Sequence, residues 1–158
     1  MGSPSIRFSL PESVVVTGAS SGLGQELCRL LIESGVNTVG VDVAAATADL
    51  EASERYTHVR GDAGSTATWD EAIERLRQSG CASIGLVTSA AILDVGDVTE
   101  VSTESLARTL HVNIVGTVLA MKSLIPLMVE KGNGSIVAVA SVNATLAEQQ
   151  LAIREHHP

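Results

Sequence analysis

The chain has 158 residues, 45% of them apolar and 18% charged, a size and composition that suit one compact domain and exclude disorder of the whole chain. Its 10 basic and 18 acidic residues give a net charge of −8, which repels phosphate backbones and anionic membrane surfaces at long range. With 1 Phe, 1 Tyr and 1 Trp it also has almost no aromatic surface for stacking on bases, so neither a nucleic acid nor a membrane is expected as a partner.

In chain order, a polar leader (1–12) precedes a β-branched run, SVVVT at Ser13–Thr17, of the kind that forms a strand buried on both faces. Gly18 stops it. From Gly22 onward Leu23, Leu27, Leu30 and Leu31 recur at helical spacing, and Gly35 stands where a helix C-terminus takes a left-handed residue. Residues 36–43 (VNTVGVDV) read as a second strand and 56–60 (YTHVR) as a third, with an Ala-rich segment between them. Thr68 and Glu71 have capping-box spacing, predicting a helix from there to Gln78 that Gly80 ends. Residues 83–89 (SIGLVTS) are a fourth strand and 135–140 (SIVAVA) a fifth. Between them, 102–130 carries a long helical pattern with Leu106, Leu110, Ile114, Val118 and Met121 on one stripe and Pro126 bending its last third. Strands separated by helices without internal repeats predict an α/β fold: a doubly wound parallel sheet of about five strands in three α/β/α layers.

Cys28 and Cys81 lie in apolar surroundings with no Cys-x-x-Cys pattern, and read as buried free thiols of a reducing compartment. The N-terminus has no basic stretch followed by a long apolar one, and Ile6 stands where a myristoylation signal takes Ser or Thr. The longest strongly apolar stretch, 114–121, is short for a bilayer span, so a cytoplasmic location is expected.

The chemistry concentrates at Thr17-Gly18-Ala19-Ser20-Ser21-Gly22-Leu23-Gly24. A nucleotide diphosphate needs main-chain N–H groups pointing at it, a helix N-terminus behind it and no side chains in the way. Gly18 makes the tight exit from the strand, Gly22 lets the chain approach the ligand, and Gly24 lets the helix pack closely; Ser20 and Ser21 can donate to phosphate. Asp42 follows the last glycine by 18 residues, where a carboxylate accepts the ribose hydroxyls of an adenosine. A carboxylate there also repels a 2′-phosphate, and no Arg at 44–46 offsets it, so NAD(H) is expected over NADP(H).

Thr-Gly-x-x-x-Gly-x-Gly resembles the cofactor motif of the short-chain dehydrogenase/reductase family, and 13–144 follows the order of that family's Rossmann-type domain. The resemblance implies that Asp62 and Ala63 contact the adenine ring. It also implies that Ser89, Ala90 and Ala91, in Thr88-Ser89-Ala90-Ala91, stand where the family has Asn-Asn-Ala-Gly beside the cofactor. By the same resemblance Leu23 belongs to the cofactor loop, Asn113 is the helix Asn that holds a water in the proton relay, and Ser141 is the catalytic Ser. The implied reaction interconverts an alcohol and a ketone by hydride transfer with a nicotinamide cofactor.

The pattern departs from the family at its Tyr-x-x-x-Lys pair. The positions where these would fall, near Arg154 and Pro158, carry neither; Tyr56 is the only Tyr, and Lys122 and Lys131 are the only lysines. A Tyr hydroxyl exchanges the proton with the substrate oxygen and the Lys lowers its pKa, so a chain without them is expected to bind cofactor without turning over. Residues 145–158 read as a divergent tail and the family's fold as incomplete, which would leave the helix at 102–130 with an uncovered apolar face inviting homo-oligomers. His156 and His157 in that tail lack further ligands, and no metal is expected. The competing reading is a non-catalytic dinucleotide-binding or nucleotide-sensing module.

Overall fold

Val15 of β1 (Ser13–Thr17) packs to one side of the sheet and Val14 and Val16 to the other, so alternate side chains of a single strand seed two hydrophobic clusters. The computed structural model describes residues 9–93, 97 and 99–141. After β1 come α1 (Gly22–Glu33), β2 (Asn37–Asp42), α2 (Ala48–Glu51), β3 (Tyr56–Arg60), α3 (Thr66–Ser79) and β4 (Ile84–Thr88). They are followed by α4 (Thr103–Leu110), a π-helical segment (His111–Gly116), α5 (Thr117–Lys131) and β5 (Gly134–Ala138). The five strands are parallel in the order β3-β2-β1-β4-β5. Cys28, Leu31, Leu50 and Tyr56 join Val14 and Val16 on one face; Trp69, Leu76, Leu124, Leu127 and Met128 join Val15 and Leu86 on the other. These are the three α/β/α layers that the sequence predicts. Cys28 and Cys81 are buried free thiols, and burial pushes the Cys28 thiol up to about 12.

Several local readings change. Strands two, four and five are shorter than their apolar runs, and the Ala-rich segment contains α2, which docks Leu50 into the core. In α1 only Leu31 of the leucine series is buried; Leu23 and Leu30 are exposed. α3 begins at Thr66 behind Ser65, ahead of the Thr68–Glu71 spacing, because the turn after β3 closes early through Ser65 N–H donating to the Asp62 carbonyl. Thr68 is buried against Gly61, where an added Cβ would come within 2.3 Å of its hydroxyl.

The single long helix becomes three pieces, with Ser102 as N-cap accepting from Ser105 N–H. α5 runs unbroken past Pro126; the departure from α geometry is the π segment, whose wider turn rotates everything beyond it relative to α4. Of the predicted stripe, Leu106, Leu110, Ile114 and Val118 face outward, 47–57% exposed, and Met121 packs against the core that Ala120, Leu124, Leu127 and Met128 fill. Taken together, Thr103–Lys131 is one 29-residue helical stretch containing an 18-residue window of mean hydropathy 1.8, a length and composition that a membrane-crossing helix and the core helix of a soluble protein share. β5 is exposed at every position. The expected tail, with Ala144, His156 and His157, lies outside the described residues.

Candidate functional site

At the C-terminal end of β1 the chain turns at Gly18 with φ +71°, and an added Cβ would stand 2.9 Å from the Ala90 Cα. A Cβ at Gly24 would stand 2.2 Å from the Gly18 carbonyl oxygen, so the first turn of α1 can lie on the strand exit only as glycine. Gly22 differs: φ is +51° and nothing lies within 4 Å of where its Cβ would be, so it opens onto empty space. No acidic residue occupies the first turn of α1, and the Ser21 side chain makes no cap hydrogen bond. The positive end of the helix dipole thus faces that space with no carboxylate in the helix's own first turn.

The space is a cavity of about 400 Å³ at the C-terminal ends of β1, β2, β3 and β4. Of the residues singled out in the sequence, Gly18, Ser21, Gly22, Leu23, Gly24, Asp42, Asp62, Ala63, Ser89, Ala90 and Ala91 line it. Ser20 does not: its hydroxyl donates to the Ala44 carbonyl at 3.3 Å and its N–H to Asp42 at 2.9 Å. The phosphate-donor reading of Ser20 is corrected accordingly, since the turn rotates it toward the loop after β2.

Asp42 accepts from Ser20 N–H with Oδ2 and from Ala44 N–H with Oδ1, both at 2.9 Å. It is an anchored, half-buried carboxylate on the cavity wall rather than a solvated strand end. Three side chains of β3 that sequence reasoning missed hold the turn beside it. Arg60 Nε donates to the Val43 carbonyl at 3.1 Å, His58 Nε2 reaches the Ala44 carbonyl at 2.9 Å, and the Tyr56 hydroxyl meets His58 Nδ1 at 3.0 Å. Tyr56 itself is buried under Gly40, and desolvation raises its phenol pKa.

Asp62 is fixed in the same manner, Oδ1 accepting from Gly64 N–H at 2.7 Å and Oδ2 from His111 Nε2 at 2.9 Å. Ser89 donates its hydroxyl to the Thr17 carbonyl, while Ser89 and Ala90 N–H both donate to Thr17 Oγ1, stitching the ends of β1 and β4 together. Neither Asn113 nor Ser141 lines the cavity. The Asn113 amide is engaged with the Ile92 main chain, accepting from its N–H and donating to its carbonyl at 2.9 Å each, so its side chain shapes the loop after β4. Ser141 stands exposed three residues beyond β5.

The sequence profile described as short chain dehydrogenase matches residues 12–153. The chain belongs to the short chain dehydrogenase family. A short chain dehydrogenase of Penicillium brasilianum, ausX, is 31% identical over 130 residues, 81% of this chain and 50% of that relative. A 3-alpha-(or 20-beta)-hydroxysteroid dehydrogenase of Mycobacterium tuberculosis is 28% identical over 133 residues, 81% of this chain and 50% of its own. Among solved structures, the ligand-free aldohexose dehydrogenase of Thermoplasma acidophilum superposes with a TM-score of 0.77 at 25% identity, over 90% of this chain and 54% of that one. The chain spans about half the length of the curated relatives it matches. The family binds NAD(P)H, and in this member of it the glycine turn and Asp42 line one cavity.

Proposed function

We propose that this chain binds NAD(H) in the cavity above the β1–α1 turn, as the cofactor-binding part of an oxidoreductase that interconverts an alcohol and a ketone. The observation that carries this is Asp42, an anchored carboxylate on the same cavity wall as the open Gly22 and the start of α1, whose own first turn holds no carboxylate. The α1 N-terminus with Ser21 and Gly22 would hold the pyrophosphate, Asp42 the adenosine ribose, and Asp62 with Ala63 the adenine. A bound nicotinamide supplies a hydride acceptor or donor for a carbon bearing oxygen. The relatives' names, an aldohexose and a hydroxysteroid dehydrogenase, support an alcohol as the substrate class.

NAD(H) is favoured over NADP(H) because the Asp42 charge opposes a 2′-phosphate and no Arg stands at 44–46 to offset it. A second reading, a dinucleotide-binding module without turnover, is favoured by one observation. Neither the only Tyr, buried beneath β2, nor Lys122 or Lys131 of α5 lines the cavity, so no tuned proton donor faces it from these residues. Titration calorimetry with NADH and NADPH, followed by NADH consumption across a panel of ketones, tests both readings. Tight NADH binding without turnover is the result expected of the 158 residues. Tighter NADPH binding contradicts the cofactor assignment, and robust turnover contradicts the binding-only reading.

A further inference from the structure

The π-helical segment touches both loops that floor the cavity. From its first residue, His111 Nε2 reaches Asp62 Oδ2 at 2.9 Å, in the turn after β3; two residues on, Asn113 grips Ile92 in the loop after β4. The fit at the first contact is close. A Cβ on Gly64 would lie 2.2 Å from His111 Nε2, so the turn keeps a glycine where the imidazole lies, and Gly64 N–H orients the other Asp62 oxygen at 2.7 Å. Gly116, the last residue of the segment, packs against the same turn, where its Cβ would stand 3.2 Å from the Ala63 Cβ.

A carboxylate oxygen has two acceptor directions, and each Asp62 oxygen uses one of them on a donor of its own chain. With its plane fixed from two sides, the carboxylate is held still on the wall of the cavity that Asp62 lines, with an acceptor direction left on each oxygen. We infer that His111 is a positioning residue which, through Asp62, makes the adenine end of the site selective for a purine bearing a 6-amino donor. This inference rests on the dinucleotide reading above. An amino group donates to the held carboxylate, whereas a 6-oxo group brings an acceptor against an acceptor and leaves both without a proton between them. Without His111 the carboxylate is tied on one side only and can turn to solvent, since Asp62 is about half exposed.

The test compares NADH with reduced nicotinamide hypoxanthine dinucleotide, whose base carries a 6-oxo group in place of the 6-amino group and a proton on N1. Binding of each to the full chain and to His111→Ala and His111→Gln variants is measured by calorimetry. The original chain is expected to prefer NADH by about tenfold, the scale of one hydrogen bond to a charged group. His111→Ala should weaken NADH by most of that factor and leave the hypoxanthine dinucleotide within about twofold, a selective loss that general loosening of the fold does not give. His111→Gln, which keeps a donor at similar reach, should restore the preference, and it also serves if the alanine variant does not fold. Equal weakening of both dinucleotides, an unchanged preference in His111→Ala, or a preference lost in a folded His111→Gln overturns the role of His111 alone. If the original chain binds neither dinucleotide, the dinucleotide reading itself falls, and this inference with it.

Discussion

β1 and β5 carry similar sequences, Ser-Val-Val-Val-Thr and Gly-Ser-Ile-Val-Ala, yet every residue of β1 is buried and every residue of β5 is exposed. β1 lies between β2 and β4 with helices on both sides, whereas β5 pairs only with β4 among the described residues. The same contrast divides the long helix: Leu124, Leu127 and Met128 are in the core, while Leu106, Leu110, Ile114 and Val118 look outward. A β-branched run or a leucine stripe reports the local element. Whether it is buried is decided by neighbours that the run itself does not encode.

The largest expected difference is in stability. Leu86→Ala, in the buried strand β4, should cost about 2–5 kcal/mol, and Val137→Ala in β5 under about 1 kcal/mol, read from urea unfolding midpoints. Equal costs would mean that β5 is covered in solution. Next comes the glycine turn. Gly22→Val should abolish NADH binding because the branched side chain fills the open space over α1, at a folding cost of about 1–2 kcal/mol from its left-handed backbone. An unchanged affinity would reduce the loop to an ordinary turn.

A smaller effect concerns the outward stripe, whose exposed Leu, Ile and Val make self-association through the helix at 103–131 our expectation. Ile114→Lys with Val118→Lys should lower the mass seen by light scattering toward one chain, leaving cofactor binding within about twofold because neither residue lines the cavity. A mass that does not change between the two proteins contradicts this. The smallest effect is at Asp49, where the Arg29 guanidinium, 2.7 Å away, holds the carboxyl down to about 2. A depressed folded-state pKa means that the contribution is present above the ordinary Asp value and is lost as pH falls through about 2. Because the pair is solvent-exposed, Asp49→Asn should barely move the unfolding midpoint at pH 7, and an NMR titration should show the low pKa directly.

Much of this was legible from the chain alone. The β-branched runs, the glycine spacing and Asp42 fix the sheet, the turn after β1 and the acid at the end of β2, because each has a local steric or electrostatic cause. The misreadings share a different cause. Ser20 has the right chemistry for phosphate, but a backbone rotation that no spacing reveals gives it to Ala44 and Asp42. His58, Arg60 and Tyr56 act through contacts across strands, and His111 through a one-residue widening of a helix whose sequence is compatible with unbroken α geometry. Thr68 and Glu71 satisfy a capping pattern, yet α3 starts earlier, at Thr66, where Ser65 N–H closes the turn on the Asp62 carbonyl.

The central claim, that the strand ends form a dinucleotide site while the β5 flank takes no part in it, is tested most directly by assigned amide spectra recorded during titration with NADH. The account predicts saturable shifts at Gly18, Ser21 to Gly24, Asp42, Asp62, Ala63 and Ser89 to Ala91, with the amides of Ile136 and Val137 unmoved. Shifts concentrated on β5 and the outward helix face, or no saturable shifts at the glycine turn, would contradict it.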